Sequence, residues 1–540
     1  MGRTHWDNSS SAISMRIIHL SIDSTTLYGS VLDGFRLTLD RGRSTGEMLS
    51  TVCLIGANGA GKSQLLQRIA EIFQDAWHTC SPEQERADPN NGLNFEIVYE
   101  VERAPGSRQV VRLHRSAAQT NRSDVRLELE DGGRWQEVES NDPRFGELLP
   151  PVIVGYTSGD NETLSLPFFR SRAAYARDVA TTALNASRRL QTVPDSRLLL
   201  VDYATNLEVL IANLMLGSHV AAEELLSHAD LADLSSWRCV IQLQPSTVGR
   251  GGVKLTAELE QIIADLRSAS TCQHYDRSTG TYTLDFLVDD QSRKAFAAHW
   301  GSAVDLYRAF HKLAMLNDLA IPKKARARVN REIEIGRFAA RLPEPQDEQK
   351  VFRFEEVRFR PKDPKGTPID YVALSDGEHQ QAQILGILSM ITDSNALFLF
   401  DEPESHFNPQ WRVKFVSRIQ DLSSASSASR ELVLSSHAPF VPSDMPRERV
   451  VVLERNGSKV TARNPRTETF GASFDQILRD CFEINPPISQ VAREEIERLM
   501  ASNDVNEMEQ AISGIGSSVK RAFLLDRINQ LKLRDADLAV

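Results

Sequence analysis

Apolar and polar positions follow two different periods along this chain. Short strand-type runs come first, at 16–22, 35–39 and 50–55. Between 63 and 76 the period changes: Leu65, Leu66, Ile69, Ile72 and Phe73 fall at helical spacing. Strands are predicted again at 94–101 and 109–114. Hairpins and loops are expected across the polar stretch 116–149, and a strand at 152–156 runs into a Gly/Asp/Asn loop. From about 175 to 345 helical segments dominate, such as 198–216 and 303–316, with one strand at 282–288. No heptad is sustained, which argues against a long coiled-coil arm, and no internal repeat is present. Pro343 and Pro345 mark a boundary. Strand patterns return at 351–360 and 369–373. The short apolar runs 397–400, 432–434 and 450–453 read as buried parallel strands. A Ser/Ala-rich stretch at 422–430 reads as a flexible loop, and the chain after about 475 is helical. The pattern predicts an α/β fold interrupted by a mainly helical insertion.

Composition narrows the function classes. The 540 residues suffice for three or four domains, and the net charge of −11 excludes a general polycation. A nucleic-acid surface must then be local. Residues 323–341 (KKARARVNREIEIGRFAAR), with seven Lys/Arg and two Glu, are the one basic cluster that stands out. The same residues also read as a solvated helix face. Cys53, Cys80, Cys239, Cys272 and Cys481 are scattered and never paired as CxxC. That argues against a disulfide framework or a structural zinc, and for a reducing cytoplasm. No apolar run reaches the ~18 residues of a membrane span, so no membrane contact is expected. Residues 1–14 lack a signal-peptide core and read as a disordered extension, with Met15 a candidate start.

The chemistry-bearing segments are specific. Gly56-Ala57-Asn58-Gly59-Ala60-Gly61-Lys62-Ser63 fits GxxxxGK[ST] between a strand and a helix. Its glycines let backbone N–H groups converge on phosphate oxygens, with Gln64 continuing into the helix N-terminus. Lys62 would neutralise β- and γ-phosphates of ATP, and Ser63 would ligate Mg²⁺. The strand ending in Asp401-Glu402 supplies a second Mg²⁺ ligand, Asp401, and a general base, Glu402. His437 follows another short strand, where a structural and a catalytic reading both stand. Leu374-Ser375-Asp376-Gly377-Glu378 opens a helical run; by itself it is an N-cap followed by acidic residues. His406 and the loop holding Ser158 and Asn161 are further positions where structural and catalytic readings both stand.

Taken together, the GANGAGKS, LSDGE, FLFDEPE and SSH segments resemble the ABC-type ATPases of the SMC, RecF and OLD branch. The likeness is greatest to stand-alone AAA-type ATPases of restriction, Septu and retron-associated anti-phage systems. It extends over most of residues 15–540, with weaker collinear texture at 155–169, 306–317 and from Thr469 onward. The resemblance implies an ABC-type P-loop head, a mixed sheet with flanking helices. That head would be split into 15–175 (P-loop half), a helical insertion at 176–350, 351–475 (signature, Walker B and switch-histidine half) and a helical tail at 476–540. It implies that Ser375 and Gly377 reach across a head dimer, or higher oligomer, to the partner's γ-phosphate. Asp376 and Glu378 depart from LSGGQ, and no glutamine stands at the Q-loop position. No Toprim or HNH constellation is present, so the resemblance implies a cytoplasmic regulatory ATPase acting on a separate effector nuclease of HNH type. Two alternatives remain open at this level: a RecF/SMC-like DNA-repair or clamp ATPase that binds nucleic acid, and a nucleotide-binding scaffold with little turnover.

Overall fold

The computed structural model describes residues 15–538 apart from 26–29, 40–48, 91, 105–106, 117–123, 160–161, 186, 203–204, 227–229, 250, 335–342, 425–427 and 485–487. The expected extension at 1–14 and Asn161 lie outside the described residues.

Leu49–Ile55, Leu397–Asp401 and Arg430–Ser436 are buried at every position, so they belong inside a sheet covered on both faces. They form the centre of a seven-stranded sheet. Its order is Lys459–Arg463, Val450–Asn456, Leu49–Ile55, Arg430–Ser436, Leu397–Asp401, Ile153–Thr157, Leu198–Val201. All pairs are parallel except the one between the first two strands. Segments from both halves of the chain therefore interleave. The N-terminal strand 49–55 lies between two C-terminal ones. Helices Lys62–Cys80, Glu162–Leu184 and Pro409–Ser424 pack on this sheet.

A six-stranded antiparallel sheet, from Phe35–Thr38 through Arg16–Ser24, Asn94–Ala104, Ser107–Arg115 and Arg126–Asp131 to Arg134–Val138, shares its core with the P-loop helix. Phe73 meets Tyr99 edge-on at 5.4 Å. Polar ties cross the seam as well. The Ile17 N–H donates to the buried Glu431 carboxylate (2.8 Å), and Arg115 donates to Asp75 (2.6 Å), with both side chains buried.

Three strands of the segment expected to be mainly helical join two that follow it in a five-stranded antiparallel sheet. It runs Cys272–Asp276, Thr281–Leu287, Leu231–Gln242, Phe352–Pro361, Ile369–Asp370. Trp237 stacks on Phe286 at 3.8 Å, with Phe296, Phe310 and Phe354 around it. The expected helix 198–216 is two elements. Leu198–Val201 pairs as an edge strand of the main sheet, and only Asn206–Leu216 is helical. Four consecutive buried residues carry no period that separates strand from helix, and their run merges into the helical pattern that follows. The Ser/Ala-rich stretch is partly helix, which extends to Ser424.

Residues Ser473–Val540 form a separate compact unit of helices Phe474–Phe482, Gln490–Ala501, Val505–Ile512 and Val519–Leu538. Its small core comprises Leu499, Met508, Leu524 and Ile528. Among the described residues no helix is long and apolar enough to cross a membrane.

Candidate functional site

The sheet register builds the site. Ile55 is level with Ser436, and Asp401 is level with both Ser435 and Thr157. Four strands thus end along one edge. Gly56, Glu402, His437 and Ser158 follow immediately, although they are scattered through the chain.

The P-loop turns through left-handed or extended glycines at Gly56 (φ 147°), Gly59 (φ 78°) and Gly61 (φ 88°), the last preceding helix Lys62–Cys80. Gly56 also has no room for a side chain, since a Cβ there would lie 2.3 Å from the Leu453 carbonyl oxygen. Ala57, Asn58 and Gly59 form the exposed tip, and Ala60 is buried beneath it. The Lys62 ammonium folds back over the loop and donates to the carbonyls of Gly56 (3.0 Å) and Ala57 (3.3 Å). Burial lowers its affinity for the proton; the Glu402 and Asp401 carboxylates oppose that. The Gln64 side-chain amide oxygen, Oε1, has no hydrogen-bond partner among the described residues.

From Lys62 a polar chain crosses to the ends of the two C-terminal strands Arg430–Ser436 and Leu397–Asp401. Lys62 Nζ lies 3.3 Å from His437 Nδ1, and His437 Nε2 lies 2.5 Å from Glu402 Oε1. An ammonium only donates, so Nδ1 accepts and the ring proton sits on Nε2, facing the carboxylate. That hydrogen bond holds the Glu402 carboxyl below its ordinary range against the opposing effect of burial. Glu402 itself has a left-handed backbone (φ 49°), and its N–H donates to Ser435 Oγ at 3.0 Å. The Ser435 hydroxyl donates in turn to Asp401. Burial raises the Asp401 carboxyl, while hydrogen bonds from Ser435 and Ser63 lower it. A hydroxyl in the first turn of helix Lys62–Cys80 and a carboxylate oxygen at the end of strand Leu397–Asp401 are a donor pair suited to Mg²⁺, a hard cation usually held by few protein oxygens together with substrate phosphates. Ser63 and Asp401 are the residues that would hold it.

The signature segment lies apart from this cluster within one chain. Ser375 caps helix Asp376–Met390 in a reciprocal box: its N–H and hydroxyl both donate to Glu378 (2.7 and 2.8 Å), and the Glu378 N–H returns to Ser375 Oγ (3.4 Å). Gly377 packs on the loop after the Walker B strand, where a Cβ would lie 2.9 Å from the His406 carbonyl oxygen. Among the described residues no hydrogen bond joins Ser375 or Gly377 to the P-loop.

Three residues were not singled out from the sequence. Ser435 ties Asp401 to Glu402, and Ser436 donates to the buried Glu404. Gln380 bridges the Ser158 carbonyl (3.4 Å) and the His406 N–H (3.3 Å), joining the Q-loop position to the loop of His406. The Ser-Ser-His run carried a signal for the first two; nothing local marked Gln380. The basic helix Lys323–Glu334 buries Val329 in a cluster with Phe169 and Ile321, and leaves Lys323, Lys324, Arg328 and Arg331 exposed. The rest of the cluster, from 335, is outside the described residues.

Residues 283–444 match the family model described as "AAA domain, putative AbiEii toxin, Type IV TA system". That span is similar to an AAA-type domain, a class that includes ATPases. The matched span includes the signature helix, Asp401-Glu402 and His437, and the P-loop lies N-terminal to it. A curated relative, protein ea59 of Escherichia phage lambda, is 27% identical over 92 residues, which span only 17% of this chain and 17% of that protein. The SMC head domain from Thermotoga maritima is similar at 11% identity and a TM-score of 0.31, covering 84% of this chain and 100% of that one. The SMC head of Pyrococcus furiosus bound to the ScpA C-terminal domain gives 11%, 0.30, 83% and 96%. The recombination mediator RecF bound to ATPrS gives 11%, 0.32, 84% and 100%. Likenesses this distant leave the head architecture to rest on the strand order and register described above.

Proposed function

We propose that this chain binds ATP with Mg²⁺, hydrolyses it between two paired heads, and through that cycle controls a separate effector nuclease in anti-phage defence. The observation that carries the catalytic part is the Lys62–His437–Glu402 chain beside Ser63 and Asp401 at one strand edge. Residues 56–64 cradle the phosphates; Glu402 orients the attacking water, and His437 reports the γ-phosphate to it. Ser375 and Gly377 of a second head complete the site. The defence role draws support from the family resemblance and from the toxin–antitoxin system named for the matching family. Glu402→Gln tests the site: turnover should vanish while ATP-bound dimers accumulate in light scattering. Unchanged hydrolysis would sink the assignment. Affinity purification from native cells with ATP tests the partner, and recovery of DNA-repair proteins in place of a nuclease would overturn the defence role.

A second reading, an ATP-dependent DNA-binding clamp, is favoured by the exposed cations of helix Lys323–Glu334. It requires salt-sensitive DNA binding that falls on charge reversal of Lys323, Lys324 and Arg328.

A further inference from the structure

A second cleft opens at the end of the seven-stranded sheet opposite the P-loop. Val152, Leu199 and Asn395, at the N-terminal ends of three parallel strands, line it, as does Cys80 at the far end of the P-loop helix. Helix Ala303–Met315 forms another wall. Its volume of about 640 Å³ lies within the ~300–1,000 Å³ of small-molecule sites.

The charges along this cleft do not balance locally. Each of its carboxylates already has a cation: Asp142 has Arg144 (2.6 Å), Glu147 has Arg103 (3.6 Å) and Asp195 has Lys312 (2.8 Å). Lys312 is also held by Glu258. Two guanidiniums are left over. Arg197 donates only through Nε, to Gln84 Oε1 at 3.2 Å, and lies 5.6 Å from the Trp77 ring centroid. Arg308 has no hydrogen-bond or ion-pair partner among the described residues. Both are half-buried. A guanidinium removed from water without an anion is a cost that a bound anion offsets, and its planar fork matches phosphate oxygens. The lining also offers the Asn141 amide and the Ser394 hydroxyl, with Leu149 and Met315 as apolar wall.

We propose that this cleft is a binding site for a phosphorylated small molecule of up to mononucleotide size, its phosphate clamped by Arg197 and Arg308. A nucleic-acid strand needs a row of cations along its backbone, and only two are unpaired here. The helix Lys62–Cys80, 19 residues and about 28 Å long, runs from the P-loop to this cleft, so one rigid element serves both sites. The proposal does not depend on hydrolysis at the P-loop.

Calorimetric titration of the full chain with ribose 5-phosphate, inorganic pyrophosphate and GMP is the test. At least one probe should bind once per chain with micromolar affinity, weakened about tenfold or more in both Arg197→Gln and Arg308→Gln, while ATP affinity is unchanged. Arg308 has no partner to lose, so Arg308→Gln should melt near the wild type and remain informative if Arg197→Gln does not fold. The proposal is overturned if none of the three probes gives a saturable signal. It is equally overturned if both variants bind as the wild type does, which places the binding elsewhere. Titration by a 5′-phosphorylated single-stranded oligonucleotide alone, lost in the variants, would reassign the cleft to nucleic acid and reject the small-molecule site.

Discussion

Replacing Ser435 by Ala should slow ATP turnover without weakening ATP binding. The Ser435 side chain is fully buried, and its hydroxyl donates to Asp401 while accepting the Glu402 N–H. It therefore couples the metal-ligand candidate to the candidate base. Hydrogen bonds that involve a charged group are worth about 1.5–3 kcal/mol. Glu402 is also held in a left-handed backbone, which costs a non-glycine residue about 1–2 kcal/mol. Without the Ser435 acceptor, Glu402 is free to relax away from His437. A loss of about 2 kcal/mol in positioning the base corresponds to roughly thirtyfold in rate. KM for ATP should hold, because the P-loop makes no contact through Ser435. Steady-state phosphate release and equilibrium binding of a fluorescent ATP analogue separate the two effects, with Ser435→Thr as the hydroxyl-retaining control. A kcat within about twofold of wild type, or a loss carried wholly by KM, refutes the coupling role.

Burial pushes the Glu404 carboxyl up to about 7, and its Oε2 has no hydrogen-bond partner among the described residues. Between the unfolded value near 4.5 and 7 the native state holds a proton that the unfolded state releases, so this group's contribution to stability falls as pH rises through that window. Glu404→Gln should remove a decline of about 3 kcal/mol, read as the change in mutant-minus-wild-type stability from urea unfolding at pH 4 and pH 8; a difference independent of pH would contradict it. Asp75→Ala strands the buried Arg115 beside the P-loop helix and should cost about 3–5 kcal/mol in urea unfolding. A cost under about 1 kcal/mol would mean that the carbonyls of Leu93 and Asn90 satisfy Arg115 alone. Arg430 donates to the carbonyls of Leu388 and Ile391 at the end of the signature helix (2.6 and 2.8 Å). Arg430→Met should destabilise by about 2–3 kcal/mol and speed hydrogen exchange in the last turn of that helix; unchanged exchange there would reject the capping role.

What was legible in the sequence is what is local. The P-loop is contiguous, and its strand–turn–helix context is carried by the same stretch of chain, so Lys62 and Ser63 could be read directly. Asp401-Glu402 and His437 each close a short apolar strand, and an apolar strand that stops at a polar residue is visible in one dimension. The aromatic cluster around Trp237 was not visible. It joins antiparallel strands distant in sequence with helices Asp290–His299 and Ala303–Met315, and the period of each run alone does not say that they meet. Leu198–Val201 was lost because full burial erases periodicity, and its run merges through Asp202 into the helical pattern that follows.

Ser435 shows the limit more sharply, because it takes its meaning from register, whereas Gln380 takes its meaning from a helix packed against two distant loops. Ser435 faces Asp401 only because residues 397–401 pair with 431–435 in step. A slip of one residue would turn its hydroxyl to the other face of the sheet. The opposite end of the same sheet obeys the same logic. Arg197 precedes one strand and Asn395 another, and only parallel pairing brings them to one cleft. A parallel sheet therefore sorts the chain twice. Residues that follow its strands gather at the P-loop edge, and residues that precede them gather at the Arg197–Arg308 edge, with helix Lys62–Cys80 spanning the two.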